Sequence, residues 1–257
     1  MGLPTKKIKM GYDLDTLRLL LYGPFGIGKT TFASMFRNAL FLATEKGYKG
    51  LEVYKEDIPD WQTFLKKVSQ VLNEDHNFKN IIMDTIPNLF KCCEEYTYIK
   101  YKFDHPSDVK WGKGWKLLRQ EFERPLLKLT MSNLGIIFIT HDTEIEISAR
   151  HKKFIKTVPN LTSQAKDVIG PAVDLIGYCT TSSIKWGGVT KERRVIIFEP
   201  SEELEAKVRY GIDIPSVIPL DYEVFKSYFK NKGGDKKELA EKKKALLSKF
   251  KNKNLKR

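Results

Sequence analysis

At 257 residues, 41% hydrophobic and 12% aromatic, the chain is long enough to bury the core of one large domain with a short appendage. No apolar run has the length of a membrane-crossing helix, and the short basic start from Met1 to Tyr12 lacks the apolar centre of a secretory signal. No membrane partner is therefore expected. Cys92, Cys93 and Cys179 show neither CxxC nor His/Cys metal spacing, which argues against a disulfide scaffold or zinc site and fits reduced thiols in a cytoplasmic protein.

In chain order, Leu17 to Tyr22 is an apolar run of strand length, followed by a Gly-rich loop and a helix-like stretch from Lys29 to Asn38. Ala39 to Ala43 reads as a second strand. Pro59 to Leu72 places Trp61, Phe64, Leu65, Val68 and Leu72 at helical spacing. Asn80 to Asp84 is a third strand. Trp115 to Leu129 reads as another helix, and Gly135 to Thr140 as a fourth strand. Continuous apolar strands separated by helices imply a parallel sheet covered on both faces. After His141 the pattern changes: Glu144 to Ser148, Val173 to Ser183 and Arg193 to Phe198 alternate apolar and polar residues, as antiparallel strands do. The fold class is α/β, a mostly parallel sheet sandwiched by helices with antiparallel strands added toward the C-terminus.

Asn231-Lys-Gly-Gly234 reads as a linker, dividing a domain over residues 1–230 from a basic tail over 231–257. The net charge is +13, and the tail holds 11 Lys/Arg against 3 Asp/Glu, or +8. Leu239, Leu246, Leu247 and Phe250 suggest a short amphipathic helix there, and the expected tail partner is nucleic acid or an acidic protein.

Gly23-Pro24-Phe25-Gly26-Ile27-Gly28-Lys29-Thr30 matches G-x-x-x-x-G-K-[ST] between a strand and a helix. The glycines let backbone N–H groups turn inward around a phosphate, and the helix that follows presents its positive end. Lys29 is placed for the β- and γ-phosphates, Thr30 for Mg²⁺ and Thr31 for the α-phosphate. Asp84, ending an apolar strand, is the metal-side carboxylate. Glu45, ending the second strand, is the candidate to orient water, because ligands bind at the carboxyl ends of strands in open α/β sheets. Thr140 and His141 end the fourth strand and could sense the γ-phosphate. No N-K-x-D guanine-reading motif occurs, which leaves ATP as the expected nucleotide.

These segments in this order resemble the RecA-like P-loop ATPases, and among them small phage-encoded ATPases linked to single-strand annealing and recombination. The resemblance rests on Tyr22 to Thr31, Ala43-Thr-Glu45, Met83-Asp84-Thr85, Gly112-Lys-Gly-Trp115 and Phe138-Ile-Thr-His141, with Lys207-Val-Arg209 and Ile214-Pro215 further on. It covers Leu17 to Phe229 and implies a RecA-like core in which Glu45 activates water. It also implies a homo-oligomer in which Lys207 and Arg209 complete a neighbour's site, in a host cytoplasm if the gene is a phage's. RecA proteins carry glutamine where this chain has Thr140-His141, and they are longer.

The loops after the third and fourth strands face DNA in that family. Here the first carries Tyr96, Tyr98, Lys100, Tyr101, Lys102, Phe103, Lys110, Trp111, Lys113 and Trp115; the second carries Arg150, His151, Lys152, Lys153, Phe154 and Lys156. Interleaved cations and rings suit single-stranded DNA, which needs charge for phosphates and faces for bases. A helicase or helicase loader, a small-molecule P-loop kinase and a non-hydrolysing nucleotide module are the competing readings. No Arg-rich lid of a kinase is evident.

Overall fold

The computed structural model describes residues 11–149, 152–186 and 189–229; the predicted linker and tail lie outside them. After a 3-10 turn at Leu14–Thr16, strand β1 (Arg18–Tyr22) leads through the glycine loop into helix α1 (Lys29–Ser34). Then come β2 (Ala39–Ala43), β3 (Tyr54–Asp57), α2 (Trp61–Asn73), β4 (Asn80–Asp84) and α3 (Ile86–Tyr101). Two 3-10 turns precede α4 (Lys113–Thr130), which is followed by β5 (Gly135–Ile139). The chain continues with β6 (Asp142–Ala149), β7 (Lys152–Pro159), α5 (Ser163–Ala172), β8 (Leu175–Trp186) and β9 (Val189–Ile197). It closes with β10 (Lys207–Val208), β11 (Val217–Pro219) and α6 (Tyr222–Ser227).

The main sheet runs β11-β9-β8-β1-β5-β4-β2-β3, with β10 also on β8. Its six central strands, β8 through β3, pair in parallel, and β9, β10 and β11 pair antiparallel. Alternation along each strand builds two cores. Leu20, Tyr22, Ile81, Met83 and Phe138 face α2, α3, α4 and α5, whereas Leu19, Leu21, Phe41, Ile82 and Ile137 face α1 and α6. Burial on both faces explains the unbroken apolar runs of β1, β2, β4 and β5.

The structure changes the reading of β8 and α3 and adds β3 and α5, which the sequence pattern did not predict. β8 was expected to be antiparallel throughout, but Leu175–Tyr178 pairs in parallel with β1 before the strand turns to β9. β3 is a charged edge strand with no apolar alternation. α3 occupies sequence expected to be a loop, and α5 fills the gap before β8. Of the two expectations for the stretch after His141, continuing the sheet or flanking it, β6 and β7 take the second and form a two-stranded sheet of their own.

All six parallel strands end at one rim, the carboxyl edge. Three segments reach beyond it. The β6–β7 hairpin starts there directly after His141. β8 runs eight residues past Tyr178, which pairs with the last residue of β1, a reach of about 26 Å. α4 has its C-terminal Thr130 carbonyl bonded to Arg18 at the opposite, amino edge. Its length of ~27 Å exceeds the five-residue strands it covers, so its N-terminus overhangs the carboxyl edge.

Candidate nucleotide site

Between β1 and α1 the chain turns on three glycines with positive φ: Gly23 at 148°, Gly26 at 72° and Gly28 at 110°. Gly23 is held to glycine twice over, because a Cβ there would lie 2.1 Å from the carbonyl oxygen of Cys179 on β8. The loop is thus pressed against the neighbouring strand and cannot relax away from it.

Lys29 opens α1 and is only 5% exposed. Its ammonium donates to the carbonyls of Gly23 (2.6 Å) and Pro24 (2.9 Å), within its own loop. Burial lowers its pKa, as it must for a cation withdrawn from water. Thr30 donates its hydroxyl to Asp84 Oδ2 at 2.8 Å. Asp84 is buried at the end of β4, and burial raises its pKa although the Thr30 bond opposes the shift.

Thr44 stitches the ends of β2 and β4 together. Its N–H and hydroxyl reach the Asp84 carbonyl, and its oxygen accepts from the Thr85 N–H, across a cis Asp84–Thr85 peptide. Glu45 follows directly. Its Oε1 accepts from the Thr85 hydroxyl (2.8 Å) and Asn88 Nδ2 (3.1 Å), which fixes the plane of the carboxylate beside Asp84.

His141 stands opposite, its Nε2 3.9 Å from Glu45 Oε1 and its ring stacked on Phe25 at 3.7 Å. Phe25 is itself 80% exposed at the tip of the glycine loop. Both ring nitrogens of His141 are buried without a hydrogen-bond partner. Burial, and then the nearby Lys29 charge, push the imidazole below its usual pKa, so the ring is neutral at pH 7. Thr140 does not share this position: its hydroxyl donates to the Asn160 carbonyl, leaving His141 alone of the pair facing the loop.

This arrangement fits a magnesium-bound nucleoside triphosphate. A buried ammonium held only by carbonyls lacks an anion, a carboxylate and a hydroxyl converge 2.8 Å apart, and an unsatisfied imidazole faces them. Among the described residues no group of three or more His, Cys, Asp or Glu could enclose a metal. A divalent ion would thus rest on Thr30, Asp84, phosphate oxygens and water, the coordination Mg²⁺ favours.

The remaining candidates are dispersed. Lys207 and Arg209 are not at this edge. They lie at the amino edge, where β10 pairs with Ile176 and Leu175 at the start of β8. Lys207 Nζ caps α5 by donating to the Gly170 and Val173 carbonyls, both 2.7 Å, and Arg209 pairs with buried Asp174 at 3.0 Å. Both cations are engaged within the chain. Lys100 belongs to α3, not to a loop, and pairs with buried Glu121 at 2.8 Å. Lys102, Lys110 and Trp111 are exposed on the turns before α4, with Trp111 93% exposed, and Lys113 is exposed at the first position of α4. Lys153 is exposed on β7 and pairs with Glu146, and Phe154 and Lys156 are half-buried. Lys152 begins β7, and Arg150 and His151 lie outside the described residues.

Fold and loop together define a P-loop nucleotide-binding protein. A family model described as an AAA domain matches residues 15–210, most of the chain, and the protein belongs to that family of nucleotide-binding ATPase-type domains. No curated protein gives a match.

Proposed function

We propose that the protein binds and hydrolyses Mg–ATP and couples turnover to single-stranded DNA, acting in recombination or annealing as an oligomer. The observation that carries this reading is a shared edge. The glycine loop, Asp84, Glu45 and His141 end strands at the carboxyl edge, and the segments bearing exposed cations and rings leave from the same edge. The β6–β7 hairpin starts one residue after His141.

In this reading the loop amides and Lys29 hold the β- and γ-phosphates, and Thr31 lies beside the α-phosphate. Thr30 and Asp84 hold the metal, which when bound neutralises phosphate charge. Glu45, already oriented by Thr85 and Asn88, takes the proton of the attacking water. His141, neutral and unpartnered, donates to the γ-phosphate side. The exposed Lys102, Lys110, Trp111, Lys113 and Lys153 meet the strand's phosphates and bases, and Arg150, Lys152, Phe154 and Lys156 remain candidates on their residue types. The oligomer enters through the resemblance to RecA-like ATPases.

The test is ATP hydrolysis by the full chain with and without single-stranded DNA, over a salt series. DNA should stimulate turnover several-fold, and stimulation should fade as salt rises. Neither stimulation nor salt-sensitive binding would overturn the DNA half. Lys29→Ala should lose at least ~100-fold in ATP affinity, since it removes the one buried cation of the loop. Unchanged affinity would overturn the loop assignment itself.

A further inference from the structure

Gly28 closes the glycine loop, and a Cβ built on it would lie 3.4 Å from Nη1 of Arg194 and 3.5 Å from Cδ2 of Leu220. A guanidinium from a distant strand therefore rests against the turn from loop to helix. The register explains how it arrives. On β9, Ile196 sits opposite Cys179 and Arg194 opposite Thr181. Alternation puts Arg194 on the same face as Ile196 and Phe198, which are buried in the core under α1 and α6. Arg194 is the next side chain on that face beyond the core, level with the start of α1. Its carbonyl accepts from the Leu220 N–H at 2.9 Å, which ties β9 to the segment entering α6 and fixes the arginine's origin.

Arg194 is exposed, and among the described residues it makes no ion pair. Lys29 follows Gly28 directly and turns its ammonium to the Gly23 and Pro24 carbonyls, so one short stretch of backbone has two cations against it, and among the described residues neither makes an ion pair with a carboxylate. Like charges in that position favour an anion. The guanidinium fork matches phosphate oxygens in a way that the lysine's single ammonium cannot.

We propose that Arg194 is a second phosphate-binding cation of this site, reaching the α- and β-phosphates of the bound nucleotide from the β8–β9 hairpin. The inference rests on the reading of the glycine loop as a triphosphate site. It adds a consequence for the hairpin, which the bound nucleotide would bridge to α1 through its phosphates.

The experiment titrates Mg–ATP, Mg–ADP and inorganic triphosphate into the full-length wild type, Arg194→Ala, Arg194→Lys and Lys29→Ala. Arg194→Ala should weaken all three ligands about 10-fold, which corresponds to ~1.4 kcal/mol. Arg194→Lys should recover part of the loss. In wild type, nucleotide should slow amide exchange over residues 192–196, and Arg194→Ala should abolish that protection. If ATP weakens while inorganic triphosphate does not, the arginine serves the base and the phosphate assignment is overturned. Unchanged affinity for all three overturns it as well. If instead wild type binds none of the ligands, or Lys29→Ala binds like wild type, the triphosphate reading itself falls and takes this inference with it.

Discussion

The two edges of the central sheet are built on opposite plans. At the amino edge charges are matched: buried Asp174 pairs with Arg209 and Arg18 and accepts the Arg18 N–H, while Lys207 caps α5. Arg18 reaches the Thr130 carbonyl, and Arg37 pairs with Asp15. At the carboxyl edge the same residue types are left short. Lys29 has only carbonyls, the His141 ring has no hydrogen bond, Asp84 is held toward its neutral form, and Phe25 faces solvent. One edge spends its polar groups on holding the fold, and the other keeps them for a ligand, as expected where function competes with stability.

Substitutions at the two edges should therefore separate cleanly. The largest effect belongs to Glu45→Gln, which should lower turnover by ~10²–10⁴ while ATP affinity and melting temperature stay put. Full turnover in that variant would remove Glu45 from the chemistry. At the amino edge, Asp174→Ala leaves two arginines facing a buried gap and should cost ~3 kcal/mol in chemical unfolding, with ATP affinity of the folded protein intact. A comparable loss of affinity would break the division between the edges.

Asp84→Asn should act with the opposite sign on stability. Because burial raises the Asp84 pKa, the folded chain keeps that proton to higher pH than the unfolded chain does. Wild-type stability contributed by this group thus falls as pH climbs from the ordinary carboxylate range through the raised value, and then levels. The asparagine variant should lack that fall and be more stable at neutral pH by about 0.5–2 kcal/mol without nucleotide, while losing Mg²⁺-dependent hydrolysis. Thermal melts at pH 4 and pH 7 check it. The smallest effect is Lys207→Met, ~0.3–1 kcal/mol from the lost cap on α5. Loss of turnover with an unchanged melting temperature would restore the trans role that the sequence resemblance implied.

Much of the carboxyl edge was legible in the sequence, because its evidence is local. A strand buried on both faces is an unbroken apolar run, and the glycines, Lys29 and Thr30 occupy fixed offsets. Ile86, Leu89, Phe90, Cys93 and Thr97 also follow helical spacing, so α3 could have been found had the tyrosines and lysines around them not suggested a loop. β3 left no such trace, since Tyr-Lys-Glu-Asp on a sheet edge lacks apolar alternation. The fates of Lys207, Arg209 and Arg194 were out of reach for another reason. Each is decided by atoms brought alongside by strand pairing, and a sequence shows the cation without showing the carbonyls, Asp174 or Gly28 beside it.

Asn160 has a consequence for the hairpin. Its carbonyl takes the Thr140 hydroxyl, and its N–H donates to the His141 carbonyl at 2.8 Å. The outgoing and returning legs of the β6–β7 hairpin are therefore riveted to the same two residues. A second tie lies three residues inside the returning leg, where the Thr157 N–H donates to the Glu203 carbonyl at 2.8 Å and its carbonyl accepts from the Glu205 N–H at 3.0 Å. The root of the hairpin is thereby clamped twice, to the strand that carries the imidazole and to the segment that leads into β10.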